Sequence, residues 1–324
     1  MTPLSLSLLG LIALLGIAIV IVKSMKSRPL VQQISTSGNS SSMGGTANLP
    51  MDVGSPYKLA KWRHGWMLVN PNDRYLGQAI LEYGECCEYE DRFLHLLLQY
   101  RPGKVIEAGS NIGVHTVTLA KTLATQQREL IAFEPQPVIF QNLCANLALN
   151  GINNVGAWPF ACGAEGGTVY FPSPNYEVAG NFGEISMQAE RLSNSVAVPC
   201  VRLDDLFGDD QISLIKIDVE GFELQTLQGA VNILSKSRPA LYVENDRVEK
   251  SQALIEWLWS QNYQLWWHIP ALYNPDNFLG NKTDIYPTVC SFNMLGMPRE
   301  LNIPVAGIPE ILSSTDHPLK RPST

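Results

Sequence analysis

The stretch from Lys104 to Ala124, KVIEAGSNIGVHTVTLAKTLA, decides how the chain folds. Its first five residues, Lys104 to Ala108, form a short apolar strand behind the breaker Pro102-Gly103, and Gly109 to Gly113 is a turn. From Val114 to Ala124 the apolar positions return at helical spacing. Strand, glycine turn and helix make one unit of a parallel sheet. Upstream, Tyr89 to Tyr100 predicts a helix leading into it. Downstream the cycle repeats: strands over 130–133, 155–161, 213–219 and 240–244, with helices over 137–150, 222–234 and 251–261. Strands over 263–268 and 289–295 finish the set, with an antiparallel edge. Thr168 to Phe171 and Val196 to Val201 predict further strands around a Gly/Asn-rich insertion. The fold class is α/β, a doubly wound, mostly parallel sheet, whose ligand belongs beyond the carboxyl ends of the strands.

Composition is consistent with this. The chain has 324 residues, 45% hydrophobic and 16% charged, enough for a sizeable core and too apolar for global disorder. A net charge of −7 leaves no basic surplus for a phosphate backbone, so no nucleic acid partner is expected. The 6 cysteines, Cys86, Cys87, Cys144, Cys162, Cys200 and Cys290, have no C-x-x-C spacing and are read as reduced thiols.

Leu4 to Val22 carries no charge and is long enough, as a helix, to cross a hydrocarbon core of about 30 Å. Lys23, Lys26 and Arg28 follow it, and no Lys or Arg precedes it, which predicts a single-pass anchor with the remainder at the cytoplasmic side. A cleaved signal peptide is the alternative, although the basic leader such peptides carry is missing. Residues 1–28 are thus assigned to the anchor and 29–50 to a Ser/Gly-rich tether. The folded domain covers 51–298, with its core at 85–296, and a proline-containing tail, extended or frayed, runs from 299 to 324.

The turn after the first strand, Glu107-Ala108-Gly109-Ser110-Asn111-Ile112-Gly113, lets backbone approach a ligand closely. The next strand ends at Phe133-Glu134-Pro135, and Glu134 stands about 25 residues past Gly109, near the distance of a carboxylate that accepts ribose hydroxyls. An adenosine-type nucleoside satisfies both features, and the loop alone leaves a nicotinamide dinucleotide and S-adenosylmethionine open. A dinucleotide loop needs glycine where Asn111 stands, and Glu107 would repel a pyrophosphate, which favours a cationic ligand without phosphate.

With these motifs in view, the sequence resembles the FkbM family of methyltransferases. The likeness rests on VIEAGSNIGVHT (105–116), FEP (133–135), Asn146 and Asn150 late in one helix, GGTVYF (166–171), LDDL (203–206) and IKIDVEGFE (215–223). It implies a class I methyltransferase fold, S-adenosylmethionine as cofactor and methyl transfer to an oxygen of a sugar, glycan or natural product. Glu107 departs from the Asp often found there. The resemblance puts Glu107, Gly109, Ser110, Asn111 and Gly113 around the methionyl part, Glu134 and Pro135 at the ribose, and Ala161-Cys162 near the adenine.

Transfer to a hydroxyl calls for a general base. Candidates are Asp218 and Glu220, after the fourth strand, the Glu244-Asn245-Asp246 run after the fifth, and His268 at a strand end. Asp218 is also placed to cap a helix beginning near Phe222, and His268 to fill a structural role. Neighbouring carboxylates at these strand ends either raise one another's pKa or share a divalent ion. Trp257, Trp259, Trp266 and Trp267 offer aromatic faces to a sugar or pack the core. The expected partners are a small-molecule or glycan acceptor and, through the first segment, a membrane. A membrane-tethered binding protein without catalysis and a nicotinamide-dependent oxidoreductase remain as alternatives.

Overall fold

A computed structural model describes residues 50–320 apart from Ser55. The anchor expected at 4–22 and the tether expected at 29–50, except Pro50, lie outside these residues. Among the described residues no helix is long and apolar enough to cross a membrane.

The chain opens with an antiparallel meander, β1 (Met51–Gly54), β2 (Tyr57–Trp62) and β3 (Gly65–Val69), then helices α1 (Leu76–Tyr83) and α2 (Glu88–Leu97). The core alternates: β4 (Lys104–Ala108), α3 (Val114–Thr125), β5 (Leu130–Phe133), α4 (Pro137–Leu149) and β6 (Val155–Trp158). A small side sheet follows, of β7 (Ala161–Cys162), β8 (Gly167–Pro172) and β9 (Ser195–Val201). The chain then returns through α5 (Leu203–Phe207), β10 (Ile212–Ile217), α6 (Glu223–Gln228), α7 (Val231–Ser237), β11 (Ala240–Glu244), α8 (Val248–Ser260), β12 (Tyr263–His268) and β13 (Asn293–Pro298).

Seven strands form the central sheet in the order β12-β13-β11-β10-β4-β5-β6. Strand order reverses between β4 and β10, which pair in parallel with Glu107 opposite Lys216 and Ala108 opposite Ile217. Both strands are buried, and successive side chains face opposite layers. Val105 and Leu214 join a core with α2, α3, α4 and the meander, whereas Ile106 and Ile215 join one with α6, α7 and α8. The reversal opens a crevice at the carboxyl ends of β4 and β10.

Several elements differ from the sequence expectation. The strand expected over 155–161 is cut by Pro159, which has no N–H for the ladder. β6 ends at Trp158, and Ala161-Cys162 instead pairs with β9. The helix expected over 222–234 is two helices, because Gly229 lies against the backbone of Gly163, where a Cβ would come within 2.0 Å of the carbonyl oxygen. The antiparallel strand is not at the edge: β13 runs between β11 and β12, and Gly296 fits between Leu241 and Leu265. Beyond β13 the tail is extended but docked. Trp267 N–H donates to Pro309 O at 2.9 Å, Ile311 N–H to Leu265 O at 2.8 Å, and His317 is buried against Asn245 O at 2.8 Å.

Candidate functional site

The turn after β4 has the backbone its sequence requires. Gly109 (φ 84°), Asn111 (φ 48°) and Gly113 (φ 91°) are all left-handed, a region that glycine adopts freely and asparagine tolerates. Gly109 passes so near the chain after β10 that a Cβ would stand 1.7 Å from Asp218 O. Gly113 is a packing residue, its α-carbon facing Leu143. Asn146 ties the turn to the meander: its side chain accepts from Leu68 N–H at 2.6 Å and donates to Ile112 O at 2.8 Å and Leu68 O at 3.2 Å.

Glu134, at the end of β5, accepts Asn111 N–H at 2.9 Å on one carboxylate oxygen and Gln136 N–H at 2.9 Å on the other. Burial raises its pKa to about 7, the two N–H groups working against that shift and the charge of Asp218 adding to it. Each oxygen keeps a lone pair for a further donor.

Two joined clefts meet at this carboxylate. The first, about 410 Å³ including its mouth, is walled by Pro135, Phe160, Ala161, Cys162, Phe171, Met187 and Val219, and is mostly apolar. The second, about 990 Å³ including its mouth, is the more polar, with Ser110, Asn111, Glu90, His115, Lys216 and Glu244 in its wall. Gly109, Glu134, Asp218 and Glu220 line both. The insertion between β8 and β9 roofs the junction: Gly183 packs on the Asn111 amide, and Ser186 Oγ donates to Glu220 O at 2.7 Å.

The acid cluster expected after β10 and β11 is assembled. Asp218, Glu220 and Glu244 bring oxygens within 4.8 Å of one another. Burial, and then the charge of Asp218, pushes Glu220 up to about 8 although Arg247 donates to it at 2.6 Å. Burial and the same neighbours push Glu244 well above the carboxylate range, and one of its oxygens has no hydrogen-bond partner among the described residues. Lys216 Nζ stands 3.3 Å from Asp218 and 3.8 Å from Glu107. Its burial lowers its pKa, but the carboxylates around it outweigh that and hold it above the ordinary lysine value.

Not every expected residue reaches the clefts. Glu107 is fully buried beneath the turn, accepting Thr116 Oγ1 at 2.6 Å, so it supports Lys216 instead of forming a wall. His268 lies outside both clefts, bonded to Tyr242 Oη at 2.7 Å and stacked on Phe93 at 4.2 Å, and burial lowers its pKa to about 4. None of the four tryptophans lines either cleft. Trp266 and Trp267 are core residues, and Trp257 and Trp259 pack against the core.

Sequence reasoning missed Lys216, Glu90 and His115. Lys216 is the one charged residue in the mostly apolar β10, and it is only 2% exposed. His115 Nδ1 lies 2.6 Å from Asp91 Oδ1, and its Nε2 lies 3.6 Å from Glu90 Oε2. The partners come from α2, 24 residues or more upstream, and nothing local in the sequence marks the pairing.

Residues 107–265 match the methyltransferase FkbM domain. Among curated proteins, Methyltransferase sdnD of Sordaria araneosa is 31% identical over 39% of this chain and 59% of its own length. The hexuronic acid methyltransferase AglP of Haloferax volcanii is 29% identical over 40% of this chain and 50% of its own. The chain thus spans between half and three fifths of these relatives. Among solved structures, methyltransferase FkbM from Methylobacillus flagellatus KT is 17% identical, covering 60% of this chain and 43% of that one at a TM-score of 0.41. At that score the architecture rests on the strand order above.

Proposed function

With residues 107–265 belonging to the FkbM methyltransferase family, we propose that the chain transfers the methyl group of S-adenosylmethionine to a hydroxyl of a sugar, glycan, lipid-linked sugar or natural product. The observation that carries this is the position of Glu134, a buried carboxylate where a mostly apolar slot meets a more polar cleft.

The residues present fit the cofactor. Glu134 has acceptor capacity left for two ribose hydroxyls, and the slot of Phe160, Phe171, Met187 and Val219 suits an adenine ring. Gly109, Ser110, Asn111 and Asp218 would hold the methionyl part. A sulfonium and an ammonium would draw Glu220 and Glu244 into their charged forms beside Asp218, and Lys216, in the cleft wall, already faces Asp218 and Glu107. The same charges disfavour a pyrophosphate and hence a nicotinamide dinucleotide. When bound, S-adenosylmethionine supplies an electrophilic methyl carbon on a good leaving group; the protein's part is to align the acceptor oxygen and take its proton.

The polar cleft is the acceptor's place in this proposal. The name of the haloarchaeal relative adds hexuronic acids to the acceptor classes to try first. We further place the catalytic domain at the cytoplasmic face of a membrane, from the uncharged stretch 4–22 and the basic residues after it.

The test is full-length protein with tritiated-methyl S-adenosylmethionine and a panel of hexose and hexuronic acid glycosides. The expected product is a sugar whose label survives mild alkali, as a methyl ether does and a methyl ester does not. Label that alkali releases, or no label from a protein that binds the cofactor, refutes hydroxyl transfer.

A further inference from the structure

Methyl transfer to an alcohol leaves a proton to be removed, and four of the groups expected to remove it are compromised. His268 is outside the clefts, with one ring nitrogen on Tyr242. Asp218 faces Lys216 at 3.3 Å, and Glu220 is bonded to Arg247 at 2.6 Å. Glu244 is driven toward its protonated form by burial and by the neighbouring carboxylates.

His115 differs from all of these. It is the second residue of α3, so the glycine turn that shapes the cofactor cleft also fixes its backbone. Asp91, 2% exposed, holds its Nδ1 at 2.6 Å and is itself held by Thr118 Oγ1 at 3.0 Å. A carboxylate on one imidazole nitrogen sets the tautomer and frees the other nitrogen to accept a proton. That other nitrogen, Nε2, is turned toward Glu90 Oε2 at 3.6 Å, and both side chains line the polar cleft beside Ser110, Asn111 and Asp218.

We infer that His115, oriented by Asp91, is the general base that deprotonates the acceptor hydroxyl. This rests on the hydroxyl-transfer proposal above. As the acceptor oxygen's lone pair forms the new O–C bond, its proton passes to Nε2 and the C–S bonding pair stays with the sulfur. The products are a methyl ether, a neutral thioether and an imidazolium balanced by Asp91, and the imidazolium then releases its proton to solvent.

The groups facing the ring come from several elements: Asp91 and Glu90 from α2, the Cys87 thiol just before it, Lys216 from β10 and Glu107 from β4. Burial and Lys216 lower the imidazole pKa, but Asp91 outweighs them and holds it well above 6.5. Turnover therefore rises with pH through a value above the ordinary histidine range. Asp91 is a positioning residue, and its removal moves that limb to lower pH.

The experiment compares full-length wild type, His115→Gln and Asp91→Asn in the tritium assay across pH, with cofactor binding measured by calorimetry. His115→Gln is expected to lose about 10²–10⁴-fold in kcat and the pH limb with it, while cofactor affinity stays within about threefold. Asp91→Asn is expected to shift the limb to lower pH. In parallel, the ring carbon signals of ¹³C-histidine-labelled protein, with His115 assigned by the Gln variant, should titrate above the ordinary value in wild type and lower in Asp91→Asn. Undiminished alkali-stable label from His115→Gln overturns the base and leaves hydroxyl transfer standing. No alkali-stable label from wild type overturns both. A His115 ring that titrates at the ordinary value, or identically in the two proteins, overturns the dyad without reference to any acceptor.

Discussion

Replacing Glu134 by glutamine should reverse the order of stability of the two proteins between mildly acidic and mildly alkaline pH. The wild-type carboxyl titrates near 4.5 when unfolded and at about 7 in the fold. Because the folded value is the higher one, the native state keeps a proton that the unfolded chain has lost. Stability therefore falls as pH rises from about 4.5 to about 7, by about 3 kcal/mol at about 1.4 kcal/mol per pH unit, and is flat above. Glutamine has no such slope. Its single oxygen can serve only one of the two N–H groups, of Asn111 and Gln136, that the carboxylate now accepts, which costs about 1 kcal/mol or more. Without cofactor, the variant should be about 1 kcal/mol less stable near pH 4, about equal near pH 5 and about 2 kcal/mol more stable near pH 8. Urea unfolding midpoints at these pH values read this directly, and the slopes from Glu220 and Asp73, whose pKa values are also raised, largely cancel in the comparison. Adenosine, which has no group titrating in this range, supplies the second readout. Wild type should bind it more tightly as pH rises toward about 7, and the variant about tenfold or more weakly without that trend. A stability difference that stays constant between pH 4 and pH 8 would refute the account of a strained carboxylate at the junction of the clefts.

Two further substitutions test the frame around that carboxylate. Gly109→Ala places a methyl 1.7 Å from Asp218 O at a φ of 84°, so either the turn or the chain after β10 must move. It should lose about 3 kcal/mol or more, measured by urea unfolding, and adenosine binding with it. Asn146→Ala leaves Leu68 N–H and Ile112 O without their buried partner and should cost about 2–4 kcal/mol, with faster amide hydrogen exchange at Leu68.

What the sequence disclosed follows from how each part is stabilised. The strands 104–108, 130–133, 240–244 and 263–268 stand where short, mostly apolar runs between turn residues placed them, since buried sheet favours that composition. Misreadings came where one residue overrode its neighbours: Pro159 stopped a strand, and Gly229 broke a helix where backbone crosses backbone. The meander over 51–69 escaped because its outer strand is exposed and its inner one is secured by Asn142 and Asn146, polar side chains whose burial depends on partners 74 and 78 residues away.

The same distinction divides the candidate site into two halves. Gly109, Asn111, Glu134 and Asp218 were legible because strand ends converge wherever a parallel sheet reverses its order, so residues far apart in sequence share one locus that topology determines. Glu90 and Asp91 carry no such signature. In sequence they are ordinary acids in the first turn of a helix, where the dipole alone accounts for them. Only the packing of α2 on α3 turns them inward, onto His115. They also precede residue 107, where the match to the methyltransferase domain begins. The half proposed for the cofactor thus comes from the sheet, while Glu90 and Asp91 come from the packing of α2 on α3. Specificity and proton transfer should therefore be sought in residues 87–91 and 115–118, and cofactor affinity in the turns after β4 and β5.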